Sequence, residues 1–267
     1  MRDTKGDGSY AFRIVFADNL DAPYGLALIG NTLFVANQGA LVKFTYSDGQ
    51  TKAADKPVTV TELPSRINHH WTKALTASPD GKHLYVGIGS NSNITERGLD
   101  AEQNRAMVWE VDAATGAHRA FATGLRNPTA LAIQPGTGML WAVANERDEL
   151  GPNLVPDYLT SVREGAFYGW PYSYFGQNVD TRVQPQDPDK VVFVQFRDGK
   201  PVGEPIDFAS GFQDGKGGTM GRPVGVAVDP RGALLIADDL ANTIWRVAPK
   251  APTAAAPAVT GSVATPR

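Results

Sequence analysis

Apolar and polar positions along the chain follow one pattern that recurs four times. An apolar run meets a polar turn, and a second apolar run follows. The copies read Pro23-Tyr-Gly-Leu-Ala-Leu with Leu33-Phe-Val-Ala, Lys73-Ala-Leu-Thr-Ala-Ser-Pro-Asp-Gly with Leu84-Tyr-Val-Gly, Pro128-Thr-Ala-Leu-Ala-Ile-Gln-Pro-Gly with Leu140-Trp-Ala-Val, and Pro223-Val-Gly-Val-Ala-Val-Asp-Pro-Arg-Gly with Leu234-Leu-Ile-Ala. Short apolar runs bounded by turn residues read as strands. A repeat of roughly 50 residues built from such strands predicts a β-propeller.

The pattern also places the flanking elements. Tyr10–Ala17 alternates as a strand. Ala40–Tyr46 and Pro57–Leu63 read as outer strands of the first unit, and Met107–Asp112 and Thr243–Val247 close the second and fourth. A long polar and aromatic insertion, 145–175, follows the third copy, and insertions of this length in compact domains usually carry function. Residues 1–9 read as an N-terminal loop and 10–249 as the propeller domain. The Ala/Pro/Thr-rich stretch 250–267 reads as a disordered tail.

Aligned on their turns at Gly30, Pro79, Pro135 and Pro230, the copies are spaced by 49, 56 and 95 residues. The last step is nearly two repeats long but holds only the fragments Val191–Phe196 and Pro205–Phe208. A unit lost near Asp187–Lys190 explains the shortfall, and about four to five blades are expected. An unclosed ring leaves strand edges open, so self-association through them is expected.

Composition narrows the function classes. A net charge of −3 gives no footprint for nucleic acid or an anionic membrane. With no cysteine, disulfides and thiol catalysis are excluded. No run is long and apolar enough to span a membrane, and Met1–Gly8 does not read as a signal peptide.

Candidate chemistry gathers at the starts of the inner strands. Asn68-His-His-Trp precedes the second copy, and His70 there can act as a general base, against the alternative of a loop histidine packed on Trp71. Two adjacent histidines without a third ligand at recognisable spacing do not make a zinc site. Arg126 and Asn127 hold the matching place in the third copy, where Arg offers a planar fork to an anionic, carbonyl-rich ligand; a solvated turn is the alternative. Arg222 stands at the same point of the fourth copy. Asn145-Glu-Arg-Asp-Glu-Leu reads as a hard-cation site such as calcium or, more simply, as a solvated acidic loop. The Phe167-Tyr-Gly-Trp-Pro171 cluster reads as a substrate wall or a structural plug.

From about Asp3 to Val247 the chain resembles the glucose/sorbosone dehydrogenase family, most of all its L-sorbosone dehydrogenase branch. The segments that carry the likeness include Asn68–Gly81, Ser90-Asn-Ser-Asn, Gly124-Leu-Arg-Asn-Pro, Asn145–Leu150, Val155–Val162, Gly165–Ser173 and Gly221–Val228. The resemblance implies a six-bladed propeller exported to the periplasm, here about two blades short. It also implies pyrroloquinoline quinone (PQQ) and calcium as cofactors and a sugar or sugar aldehyde as substrate, with the electron acceptor open. His70 then matches the base, Arg126, Asn127 and Arg222 match cofactor contacts, and backbone carbonyls near Asp148 and Glu149 match the calcium ligands. A second late arginine of the family would fall at Val224, and the family's cofactor-binding lysine motif has no counterpart. A non-catalytic propeller that binds a sugar, peptide or partner chain is the second reading, and a gluconolactonase-like calcium hydrolase the third.

Overall fold

A computed structural model describes residues 12–151, 154–174 and 178–186, together with the strand segments 196–197, 200–201, 223–228, 234–238 and 243–247. The chain divides into two compact units, Met1–Gly211 and Phe212–Arg267.

In the first unit the repeats become sheets. Strands β1 (Gly25–Ile29), β2 (Thr32–Ala36), β3 (Ala40–Thr45) and β4 (Val58–Glu62) form an antiparallel sheet in chain order. β5 (Leu75–Ala77), β6 (His83–Ile88), β7 (Met107–Asp112) and β8 (His118–Thr123) form the second, and β9 (Asn127–Ile133), β10 (Leu140–Asn145) and β11 (Tyr158–Val162) the third. Two ribbons follow, β12 (Ser173–Tyr174) with β13 (Asn178–Val179) and β14 (Phe196–Arg197) with β15 (Lys200–Pro201). The second unit holds one three-stranded sheet, β16 (Pro223–Val228), β17 (Leu234–Asp238) and β18 (Thr243–Val247). The mainly β, blade-like fold read from the repeat is borne out. No helix among the described residues is long and apolar enough to cross a membrane.

The second sheet of the first unit buries one face against the first sheet and the other against the third. That is why the strands read as nearly continuous apolar runs. Phe34, Ala36 and Leu41 of the first sheet meet Leu75, Leu84, Val86, Ile88 and Trp109 of the second. Val108, Phe121 and Ala122 on the far face of the second sheet meet Leu131, Leu140, Ala142 and Val162 of the third. A side chain such as Leu84, fully removed from water, contributes about 1.5–3 kcal/mol of burial. The innermost strands lie side by side, β1 against β5 and β5 against β9. β6 also comes close to β9, and Gly87 on β6 is one reason it can: a Cβ there would sit 2.5 Å from the Pro128 carbonyl oxygen.

The sequence reading of Tyr10–Ala17 as a strand is not met over the described residues 12–17, where Phe12 makes only an isolated bridge. Phe16 instead packs its ring edge-on against Phe44 at 6.0 Å and Tyr46 at 5.9 Å. Its alternation reflects a loop laid over the outer face of the first sheet. The loop 1–9, the tail 250–267 and the fragment Pro205–Phe208 lie outside the described residues, as does Val191–Phe196 apart from Phe196.

Candidate active site

Antiparallel order puts the start of β5, the end of β6, the start of β9 and the end of β10 at one end of the first unit. The loops attached there carry the candidate residues. His70 lies between β4 and β5, Ser90 to Asn93 follow β6, Arg126 and Asn127 open β9, and Glu146 to Glu149 follow β10.

Backbone hydrogen bonds stitch these loops together. The Ser90 amide donates to the Arg126 carbonyl at 2.8 Å, and the His70 amide donates to the Ser90 carbonyl at 3.2 Å. Gly89 lets them close in: a Cβ on it would collide with both the Asn127 amide oxygen and the His70 Cβ. His70, Arg126 and Asn127 therefore share one end of the inner strands. Arg222 lies outside the described residues.

The protonation of His70 follows from its contacts. Its Nδ1 is 2.9 Å from the Ser90 carbonyl oxygen and 2.9 Å from the Ser90 hydroxyl, whose own hydrogen goes to the Ser92 carbonyl at 2.6 Å. A carbonyl can only accept, so Nδ1 carries the hydrogen and Nε2 keeps its lone pair. Burial pushes the imidazole pKa down from 6.5 to about 3, with further depression from Arg126, His69 and Arg105 against a small opposing contribution from the Ser90 carbonyl. The ring is a neutral acceptor at any physiological pH. Arg126 and Arg105 both disfavour its protonation, although Asp148 partly neutralises Arg126 and Glu102 lies near Arg105.

Arg126 is almost fully buried, and its donors are spent on the protein. Nε donates to the Asn93 carbonyl at 3.1 Å, and one terminal nitrogen donates to the Glu146 carbonyl at 2.6 Å and the Asn145 carbonyl at 3.5 Å. The other donates to the Asn93 side-chain oxygen at 3.0 Å and to the Asp148 carboxylate at 2.9 Å. This guanidinium ties the loop after β10 to the loop after β6. The side-chain nitrogen of Asn127 donates to Asn145 at 3.3 Å, while its oxygen is buried with no partner. An unpartnered amide oxygen is the kind of hard donor calcium takes.

At the candidate cation loop the carboxylates are engaged with arginines. Asp148 faces Arg126, and Glu149, at a left-handed φ of 71°, pairs with Arg182 at 3.2 Å. The Asp148 carbonyl lies 3.4 Å from the Asn93 side-chain nitrogen. No group of three or more acidic or histidine side chains that could hold a metal occurs among the described residues, so backbone and amide oxygens would have to supply a calcium site.

Five charged residues beside the site, Lys73, Arg105, Glu146, Arg147 and Asp180, are buried, which the sequence does not show even where it shows the charge. Lys73 and Arg105 brace the His70 loop; burial lowers Lys73 to about 7 and Arg105 to about 10. Glu146 is raised to about 7 by burial, partly offset by Arg126. Arg147 lies 3.0 Å from Asp180, both nearly fully buried, but off the line a hydrogen bond needs. Trp170, from the aromatic cluster, is buried and donates to the Asn93 carbonyl at 2.9 Å. It lines, with Phe167, Tyr172, Glu102 and Arg105, a cavity of about 500 Å³ beside the site.

Comparison with known proteins agrees on the architecture. The iodide structure of a Trichoderma reesei carbohydrate-active enzyme of family AA12 superposes with a TM-score of 0.63 at 17% identity, covering 82% of this chain and 79% of that one. The holo form of the pyranose dehydrogenase PQQ domain from Coprinopsis cinerea gives 0.60 at 13% identity, covering 85% and 92%. A crystal structure of a glucose dehydrogenase gives 0.53 at 17% identity, covering 82% and 79%. These likenesses establish the fold. Among curated proteins, none matches the chain. In sequence, residues 4–175 match the TrAA12-like family, a stretch that spans more than half of the 267 residues and contains His70, Arg126, Asn127, Asp148 and Glu149. The chain belongs to the TrAA12-like family.

Proposed function

We propose that the protein is a PQQ-dependent dehydrogenase of a sugar or sugar aldehyde, of the sorbosone and aldose dehydrogenase type, with His70 as the base. The observation that carries this reading is the His70 imidazole, fixed by Ser90 as the Nδ1–H tautomer with Nε2 free, in a field of buried cations. When bound, PQQ supplies the two-electron acceptor and calcium polarises it.

The chain's own residues do the rest. Nε2 takes the proton of the substrate hydroxyl or hydrated aldehyde, and Ser90 holds the ring through Nδ1. A conjugate acid with a pKa of about 3 is a weak base, and general bases work best with a pKa near the working pH. An anionic cofactor beside Arg126 and Arg105 would offset their field and raise His70 toward that range. Arg126 keeps the loops after β6 and β10 in register, and the Asn127 side chain offers an acceptor to the cofactor's cation or the substrate. Arg222 is assigned to the cofactor carboxylates. The carbonyls of Asp148 and Glu149, with the Asn127 oxygen, are assigned to calcium.

Periplasmic location and self-association through open blade edges complete the proposal. Leu26 and Leu28, 63% and 53% exposed on β1, add an apolar stripe that favours association in the same region.

The test is a titration of the protein with PQQ and calcium, followed by turnover of aldoses and sugar aldehydes with an artificial acceptor. Saturable PQQ binding with turnover of either class supports the proposal. Absence of both rejects it and leaves a non-catalytic binding propeller.

A further inference from the structure

The loop that carries His70 has an unusual support. Ile67 and Asn68 adopt left-handed φ values of 66° and 53°, which an Asn tolerates better than a β-branched residue. The Asn68 side-chain oxygen accepts from two buried cations, Lys73 Nζ at 3.0 Å and an Arg105 terminal nitrogen at 3.2 Å. Lys73 also donates to the Trp71 carbonyl at 2.8 Å. Arg105 donates to the Pro64 carbonyl at 2.6 Å and the His70 carbonyl at 3.3 Å. The Asn68 amide is held by Asn91 at 3.0 Å, and the Asn68 side-chain nitrogen donates to Gln38 at 3.3 Å. Both cations are almost fully buried, at 0% and 3% exposure. Neither forms a salt bridge within 4.0 Å among the described residues, and Glu102, the nearby carboxyl, is engaged with the Asn91 amide and the Ser92 hydroxyl.

Keeping Arg105, and Lys73 whenever it is protonated, out of water against neutral carbonyls is costly, and burial lowers Lys73 to about 7 for that reason. A neutral donor could satisfy the same carbonyls with less desolvation. The arrangement gains two things from charge: stronger hydrogen bonds to the backbone on both sides of His70 and, from Arg105, a positive potential at the imidazole.

We propose that Lys73 and Arg105 are positioning residues: through Asn68 and the carbonyls of His70 and Trp71 they clamp the loop that presents His70 to substrate. This rests on the assignment of His70 as base, but the clamp itself exists without the cofactor. The charged or titratable groups facing His70 are Arg126 from the start of β9, His69 from its own loop and Arg105 from the loop before β7. Lys73 and Glu102 stand behind Arg105.

The test uses the whole chain in two arms. In the first, the imidazole titration of His70 is followed by NMR without cofactor, in the wild type and in Asn68→Gly, which keeps the left-handed backbone but deletes the shared acceptor. The clamp requires the His70 pKa to rise by about one unit or more as the loop loosens and water enters. In the second arm, Lys73→Met is expected to lower kcat about 10- to 100-fold with KM nearly unchanged. Lys73→Arg, which restores a cation, recovers most of that loss. A folded Asn68→Gly protein whose His70 titrates as in the wild type overturns the clamp. Equal losses in Lys73→Met and Lys73→Arg overturn the role of the buried charge. Failure of the whole PQQ assignment would show as no turnover in any variant, and the NMR arm would still decide the clamp.

Discussion

A histidine whose folded pKa lies below its unfolded value destabilises the fold as pH falls. Between about 6.5 and about 3 the unfolded chain binds the proton and the folded chain resists it. Stability from this group is complete above 6.5 and declines below it. Glu146, raised to about 7, acts in the opposite sense: the folded state binds more protons from 4.5 to 7, and stability falls as pH rises through that window. The two partly cancel in the wild type. His70→Ala is therefore expected to melt relatively better at pH 5 than at pH 7 when compared with the wild type, and Glu146→Gln relatively better at pH 7. Melting temperatures at the two pH values check both signs, and a shift in the same direction for both variants contradicts the assignment.

At this scale the sequence disclosed some of the site and hid the rest. His70, Arg126 and Asn127 stood out because each sits just before or at the start of an inner strand in a repeat. Lys73 and Arg105 did not, and Glu146 read only as part of a cation-binding or solvated loop, since their importance comes from burial and burial depends on packing between sheets. The donors of Arg126 could not be followed from the sequence either. They end on carbonyls 20 and 33 residues away, at Glu146 and Asn93.

Among the elements, the close approach of β6 to β9 makes a sharp prediction. Gly87 has an ordinary backbone conformation, so only space restricts it. Gly87→Ala drives a methyl into the Pro128 carbonyl and is expected to cost about 1–3 kcal/mol, the usual range for overpacking. Urea unfolding measures it, and an unchanged midpoint would mean the strands are not so close. Strand placement was legible where apolar runs were bounded by turn residues, as in β2, β6, β10 and β18. β8, His118–Thr123, was not, because its first half is polar and exposed. β11 was hidden inside the long insertion after the third repeat. Tyr10–Ala17 misled for the opposite reason: apolar residues that cover the first sheet as a loop alternate much as a strand does.

On the scale of the molecule, repeat spacing foretold serial antiparallel sheets with cores between them. It could not say how those sheets close, because closure depends on surfaces rather than on periodicity. Leu26 and Leu28 leave an apolar stripe on β1 open to water, and such stripes favour association. Light scattering is expected to give a mass above the 28.5 kDa of one chain, and Leu26→Lys with Leu28→Lys should return it to one chain. A wild-type protein that stays monomeric at high concentration removes self-association from the account.

In the proposed reaction His70 abstracts a proton while the loops around it hold the cofactor. Single-turnover kinetics of His70→Ala, loaded with PQQ and calcium, tests it most directly. Cofactor binding close to that of the wild type is expected, with a chemical step slowed by about 10²- to 10⁴-fold, the contribution of a general base. A variant that binds PQQ and oxidises the sugar at the wild-type rate would contradict it.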